Sequence, residues 1–173
     1  MPRWIAALSV LAFAACSTEP GLALHPMRIE VEGEVGRPGG APRPALVTIV
    51  DDDGSIRVGG ELVGRITAEG AFLAPDGQVA ARIDGDGRVF VRDVRTDGVI
   101  AADGTLENGT EHSMRIDPDG LVHGSHPGAL RMRVTPMTPE TRRTAMFVIV
   151  LGLLSDGSDH VSVGPVPALR SPT

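Results

Sequence analysis

One short phrase recurs five times between residues 50 and 122, and it limits the folds open to this chain. Each copy reads apolar residue, two further residues, Asp or Glu, Gly, one residue, apolar residue. The glycines of the five copies are 16, 17, 17 and 16 residues apart: Gly54, Gly70, Gly87, Gly104 and Gly120. A period this regular predicts that one small structural unit is used repeatedly.

The phrase has the chemistry of a β-hairpin. A three-residue hairpin loop is commonly a type I turn whose last residue is left-handed, a conformation that glycine adopts without steric cost. If each loop ends on its glycine, the apolar residue four before it and the one two after it become cross-strand partners on one face. The predicted pairs include Ile66 with Phe72, Ile83 with Val89, Ile100 with Leu106 and Ile116 with Val122. A two-residue loop would separate each pair onto opposite faces.

Similar turn chemistry lies between some of the copies. Ala74-Pro75-Asp76-Gly77 is followed by Val79, and Arg95-Thr96-Asp97-Gly98 is followed two residues later by Ile100. Each repeat is therefore predicted to hold two short strands and two turns, with Gly77 and Gly98 closing turns of a less regular second set.

Composition agrees with many turns and short strands. The 173 residues suit one domain and include 22 Gly and 14 Pro, against only 3% aromatic residues. The formal charge is −6, with acidic residues concentrated at the turns. Because no basic stripe could follow a phosphate backbone, nucleic acid is not an expected partner.

The flanking segments complete the predicted fold. Met27 to Val35 alternates apolar and charged residues, as a strand with one solvent face does. Thr138-Pro139-Glu140 has the chemistry of a helix start, and Ala145 to Leu154 is apolar throughout. We predict a mainly β fold of antiparallel hairpin repeats, forming a meander or curled sheet, with one buried C-terminal helix at about 139–154. A strand is the alternative for Phe147 to Val150, which favour extended structure.

The first sixteen residues have the pattern of an export signal. Met1-Pro2-Arg3 gives a positive start, and residues 4–15 form an apolar stretch too short to span a bilayer as a helix. Phe13-Ala14-Ala15-Cys16 resembles the lipobox of bacterial lipoprotein precursors, in which small residues precede a cysteine that is lipidated and becomes the mature N-terminus. Phe13 stands where Leu is usual. An ordinary secretory signal cleaved near Ala15 is the alternative.

The resemblance implies a membrane anchor at Cys16, the only cysteine in the chain. In the lipoproteins it resembles, a non-acidic residue such as Ser17 after the cysteine is compatible with sorting to the outer membrane. The expected segments are a signal peptide over 1–15, a lipidated tether over 16–26, a β-repeat domain with its helix over 27–160 and a loose tail over 161–173.

Two groups of residues resemble metal sites. His112, His123 and His126 fall within one stretch, but none recurs at an equivalent repeat position, so surface histidines are the preferred interpretation. The segment Asp84 to Gly87 opens like a calcium loop but continues with Arg95 where such a loop needs Glu. The acidic turns are therefore predicted to be structural, and no cofactor is implied.

The sequence favours a non-enzymatic function. No Gly-x-Ser-x-Gly motif occurs, and the one thiol lies where lipid attachment would need it. The expectation is a membrane-anchored exported lipoprotein with a structural or interaction role at the bacterial cell envelope, where its partner would be another envelope protein. The alternative is a carrier of a small apolar ligand in a cavity between sheet and helix. The weakest hypothesis is a metal-dependent enzyme that uses the three histidines.

Overall fold

The computed structural model describes residues 21–32, 46–109, 112–124 and 131–155. Over these residues the chain forms twelve strands and then one helix. They are β1 (Met27–Glu32), β2 (Val47–Val50), β3 (Ser55–Val58), β4 (Glu61–Ile66), β5 (Ala71–Leu73), β6 (Val79–Ile83), β7 (Arg88–Val91), β8 (Val94–Ile100), β9 (Leu106–Asn108), β10 (His112–Ile116), β11 (Leu121–Gly124), β12 (Arg131–Thr135) and α1 (Arg142–Ser155).

The strands form one antiparallel sheet that closes into a barrel. Each strand pairs with its neighbours in the sequence, and β1 pairs with both β2 and β12. Ile29, for example, lies opposite Val134 on one side and Thr48 on the other. This confirms the mainly β fold of antiparallel hairpins, and the closure leaves none of the twelve described strands with an unpaired edge.

All five repeated hairpins have the predicted three-residue loop. In the third copy the Gly87 N–H donates to the Asp84 carbonyl at 2.9 Å, and the Asp84 N–H donates to the Arg88 carbonyl at 3.1 Å. The five loop glycines have φ between 81° and 88°. The cross-strand pairs are confirmed as Val50 with Ile56, Ile66 with Phe72, Ile83 with Val89, Ile100 with Leu106 and Ile116 with Val122.

The two ends of the barrel carry different sets of turns, because successive antiparallel strands reverse direction. We call one end the Asp–Gly rim; it holds the repeated turns at 51–54, 67–70, 84–87, 101–104 and 117–120. We call the other end the opposite rim; its described turns lie at 58–61, 74–77 and 91–94.

The prediction of a turn at Gly98 is wrong. Residues 95–98 lie inside β8, and the chain reverses instead through a two-residue turn at Arg92 and Asp93. These two residues have φ of 47° and 64°. A type I′ turn needs positive φ at both central residues and typically uses Asn-Gly. The pair Arg92-Asp93 is not a typical type I′ sequence, so the sequence did not indicate a turn here.

The turn-like chemistry around Gly98 serves a bulge. The pairing of β7 with β8 shifts between Arg88 and Phe90. There the Thr96 hydroxyl donates to the Val89 carbonyl at 3.0 Å. By contrast Gly77 does close a turn, with φ of 81°.

Helix α1 occupies the interior of the barrel. Its residues 145–151 are at most 9% exposed, and they share one apolar cluster with inward-facing strand residues such as Ile66 and Val89. The helix contacts β8 and β10. A helix that is apolar on all faces must be enclosed by protein, and the prediction of a buried C-terminal helix is confirmed.

The helix begins about one turn later than predicted. The Thr138 N–H donates to Thr141 Oγ1 at 3.1 Å, and the Thr141 N–H donates back to the Thr138 carbonyl at 3.2 Å. Thr138 thus closes a separate turn that contains Pro139 and Glu140. The first hydrogen bond of the helix joins the Ala145 N–H to the Thr141 carbonyl at 2.8 Å, so Thr141 is the residue that precedes it.

Residues 21–26 lie in the predicted tether, but the structure packs them on the Asp–Gly rim. We call these residues the N-terminal strap. Leu22 is 6% exposed, and its N–H donates to the Ala68 carbonyl at 2.7 Å. The Ala23 carbonyl accepts the Thr144 hydroxyl at 2.9 Å. The strap belongs to the fold because it buries an apolar side chain and joins a hairpin to the helix.

Candidate functional site at the Asp–Gly rim

The Asp–Gly rim brings together the N-terminal strap, the start of α1 and two hairpin turns. A cleft of about 220 Å³ lies among them. Its lining residues are Gly21, Leu22, Ala68, Glu69, Gly70, Ile83, Asp84, Gly85 and Arg143. The cleft is therefore made by four separate segments of the chain.

Arg143 is the buried cation of this cleft. It is 7% exposed, and its Nη2 donates to the carbonyls of Asp84 at 3.1 Å and Gly85 at 2.9 Å. Within the described parts of the chain no carboxylate lies within 4.0 Å of this guanidinium. Carbonyl dipoles thus provide its counter-charge, and the side chain clamps the start of the helix to the hairpin at 84–87.

The cleft lacks the charge pattern of an anion site. A guanidinium with spare donors can bind a carboxylate or phosphate, and Arg143 Nε is buried without a hydrogen-bond partner in the described structure. The other ionisable residues that line the cleft, Glu69 and Asp84, are both acidic. Because they would repel an anion, the arrangement supports a structural clamp.

The rim carboxylates bond to their own turns. Asp53 accepts the Ser55 backbone N–H and Asp103 accepts that of Thr105, each at 2.9 Å. These backbone N–H groups are the largest cause of the lowered pKa of both carboxyls, because they stabilise the ionised form. Asp53 and Asp103 therefore act as parts of their own turns.

Each turn glycine packs against its neighbour around the rim. The Ile100 N–H donates to the Gly87 carbonyl at 2.7 Å, and a Cβ placed on Gly87 would lie 2.1 Å from the Ile100 carbonyl oxygen. Gly54 has the same relation to Ile66. At Gly104 the nearest neighbour is Arg142, at 2.8 Å, so the start of the helix takes the place of a strand. Positive φ and missing space together require glycine.

The histidines considered as metal ligands are only partly described. His123 Nε2 lies 2.8 Å from Asp117 Oδ2 across the β10–β11 hairpin. His112 lies in β10, but its side chain and the whole of His126 fall outside the described residues. Within what is described, no three His, Cys, Asp or Glu side chains come together as a metal ion would need. The metal-dependent enzyme stays a prediction.

Cys16 also lies outside the described residues, so its lipidation stays a prediction from the sequence. The described portion of the chain contains no helix with the length and apolar character needed to cross a membrane.

No known protein family, curated protein or solved structure matches this chain.

Sequence reasoning missed three residues that assemble the rim. Leu22 and Arg143 line the cleft, and Thr144 holds the strap. A signal was present for the last two, because Arg143 and Thr144 are polar residues directly before a wholly apolar stretch. Such residues are expected to find polar partners where an enclosed helix meets the end of its barrel.

Proposed function

We propose that this protein is a bacterial envelope lipoprotein, held on a membrane by lipid at Cys16, and that its barrel has a structural or interaction role. The lipobox at the end of an export signal carries the proposal. One observation on the described residues supports it: Leu22, six residues after Cys16, is buried on the Asp–Gly rim. An anchor at Cys16 would therefore hold the domain close to the membrane. The residue after the cysteine, Ser17, is compatible with sorting to the outer membrane.

The filled interior supports a role at the surface. The side chains of Met146 and Phe147 are fully buried inside the barrel, so the outer wall and the two rims are what the domain offers a partner. Several apolar side chains are exposed near strand ends at the opposite rim: Leu46, Leu62, Val63, Val79 and Val94. Another envelope protein is the proposed partner.

The carrier alternative has less support. It needs an apolar cavity of several hundred cubic ångströms, roughly the usual scale of a ligand pocket. The helix side chains that would face such a cavity, from Ala145 to Leu151, are buried in the apolar core. The cleft at the rim has about 220 Å³ and contains Glu69, Asp84 and Arg143.

Metabolic labelling with a radioactive fatty acid tests the anchor. Cells that produce the wild type or Cys16→Ala are labelled, and the protein is recovered from membrane and soluble fractions. We expect label and membrane association for the wild type and neither for Cys16→Ala. Equal labelling of the two proteins would contradict the proposal.

Photo-crosslinking in cells tests the interaction role. A photoreactive residue is placed at Val79, which is exposed at the opposite rim, and at Thr135, which is exposed on β12. We expect a discrete adduct with another envelope protein from at least one position. A lack of discrete adducts from both positions, in protein that is lipidated and folded, would contradict an interaction role.

A further inference from the structure

The chain enters the fold at one end of the barrel. The N-terminal strap is held there by the Leu22 N–H bond to the Ala68 carbonyl and by the Thr144 hydroxyl bond to the Ala23 carbonyl. The next residues start β1, where Met27 lies opposite Val50, the last residue of β2 before an Asp–Gly turn. Any anchor that precedes the strap is therefore attached at the Asp–Gly rim.

The distance from the anchor to the strap is short. Five residue steps separate Cys16 from Gly21, and a fully extended chain covers about 3.6 Å per step, or about 18 Å in all. Most of the strands have four to six residues, so the barrel wall is about 13–20 Å long.

These lengths favour one orientation over its inverse. With the Asp–Gly rim towards the bilayer, the tether does not have to cross the barrel wall. With the opposite rim towards the bilayer, the tether would have to run down the whole wall and be almost fully extended. We propose that in the lipidated protein this short tether keeps the Asp–Gly rim facing the lipid surface and presents the opposite rim away from it. The inference rests on the proposed lipidation of Cys16.

The charge of the rim fits a short stand-off from the lipid. Exposed carboxylates surround it, among them Asp52, Asp86 and Asp119, and anionic headgroups would repel them. At physiological ionic strength such repulsion decays over about 8 Å, which is shorter than the reach of the tether. The rim can therefore stand clear of the headgroups without inverting the domain.

Energy transfer to a labelled bilayer tests the orientation. The lipidated protein is placed in vesicles of phosphatidylcholine and phosphatidylglycerol that carry an acceptor dye on a fraction of headgroups. A donor dye is attached to one new cysteine, at Ala102→Cys on the Asp–Gly rim or at Gln78→Cys beside the opposite rim. Both positions are exposed and uncharged, and in the proposed lipidated protein the native cysteine carries the lipid. Asp52→Cys and Glu61→Cys form a second, charge-matched pair, used if either first variant fails to fold.

We expect at least a twofold higher transfer efficiency from the Asp–Gly rim than from the opposite rim. Insertion of twenty Gly and Ser residues between Glu19 and Pro20 should remove most of this difference. Equal or reversed efficiencies in the native tether would overturn the orientation, and a difference that survives the insertion would overturn the role of the tether. Flotation of the vesicles separates the two proposals: wild type that does not float refutes the anchor, whereas floating protein with equal efficiencies refutes the orientation alone.

Discussion

The two rims of the barrel reverse the chain in different ways. At the Asp–Gly rim five loops have the same length, the same hydrogen bonds and glycine φ values within 7° of one another, from 81° to 88°. At the opposite rim one turn uses Gly59 and Gly60, the next ends on Gly77, and a third uses Arg92 and Asp93. Chain reversal alone therefore does not require the repeated phrase.

The difference follows from what each turn touches. At the Asp–Gly rim each loop glycine lies against the next strand or the start of α1, so a side chain would collide with backbone or with Arg142. At the opposite rim Gly59, Gly60 and Gly77 have nothing within 4 Å of an added Cβ. The turns of the Asp–Gly rim are alike because each packs on its neighbour, whereas the turns of the opposite rim only have to reverse the chain.

Alanine at Gly87 should give the largest effect. The substitution forces a Cβ onto a residue with φ of 88° and places it 2.1 Å from the Ile100 carbonyl oxygen. Backbone strain and displacement of the neighbouring strand should together lower the free energy of unfolding by roughly 2–5 kcal/mol. Urea denaturation of wild type and Gly87→Ala measures it.

Gly77→Ala is the matched control. Gly77 has nearly the same φ, 81°, but open space around its missing side chain. Only the strain remains, so we expect a loss of about 1–2 kcal/mol. Equal losses in the two variants would show that contact between neighbouring turns does not explain the regular rim.

Thr144→Val should loosen the N-terminal strap. The change keeps the shape of the side chain but removes the hydroxyl bond to the Ala23 carbonyl, at a cost of about 1 kcal/mol. Hydrogen exchange of the Leu22 N–H should become faster. Thr96→Val removes another buried hydroxyl, the one bonded to the Val89 carbonyl, and should leave that exchange unchanged. Faster exchange in both variants would mean that the bond has no specific role in holding the strap.

A longer loop at the opposite rim should be tolerated. Two extra glycines between Gly59 and Gly60 lengthen an exposed turn whose glycines have open space around them. The free energy of unfolding, measured by urea denaturation, should therefore fall by no more than about 0.6 kcal/mol. The same insertion between Asp52 and Asp53 should cost several times more, because it displaces the Gly54 carbonyl from the Ile66 N–H, 2.9 Å away. Similar costs at both sites would contradict the comparison of the rims.

The pH dependence of stability should show the smallest effect. The Thr105 N–H lowers the pKa of Asp103 in the folded protein, so this contribution is complete above the ordinary aspartate pKa of about 3.9 and is lost as pH falls through the lowered value. Asp103→Asn keeps an acceptor oxygen but does not titrate, so its unfolding free energy should fall less on acidification. Urea denaturation between about pH 7 and about pH 3 measures the difference. Asp52→Asn also removes one acid from this rim and serves as the control for the change in charge. Identical pH profiles for wild type and Asp103→Asn would contradict the prediction.

Much of the fold could be predicted because the information was local. A left-handed glycine two residues before an apolar position sets the loop length and the pairing register of its hairpin. The register in turn places the flanking apolar residues on the same, inward face, as with Ile83 and Val89. Arg92 and Asp93 could not be predicted, since their positive φ is imposed by the strands around them and not by their own preference. The candidate site could not be predicted either, because Leu22, Asp84 and Arg143 are far apart in the sequence and only the fold brings them together.

The sequence alone determined the hairpin unit, its repeated register and a helix too apolar to be exposed, because each depends on residues a few positions apart. Tertiary structure decided that β1 and β12 meet to close the barrel, that α1 fills it, and that the strap and Arg143 assemble one rim. Those outcomes depend on the accumulated twist and curvature of twelve paired strands, which no single stretch of sequence encodes.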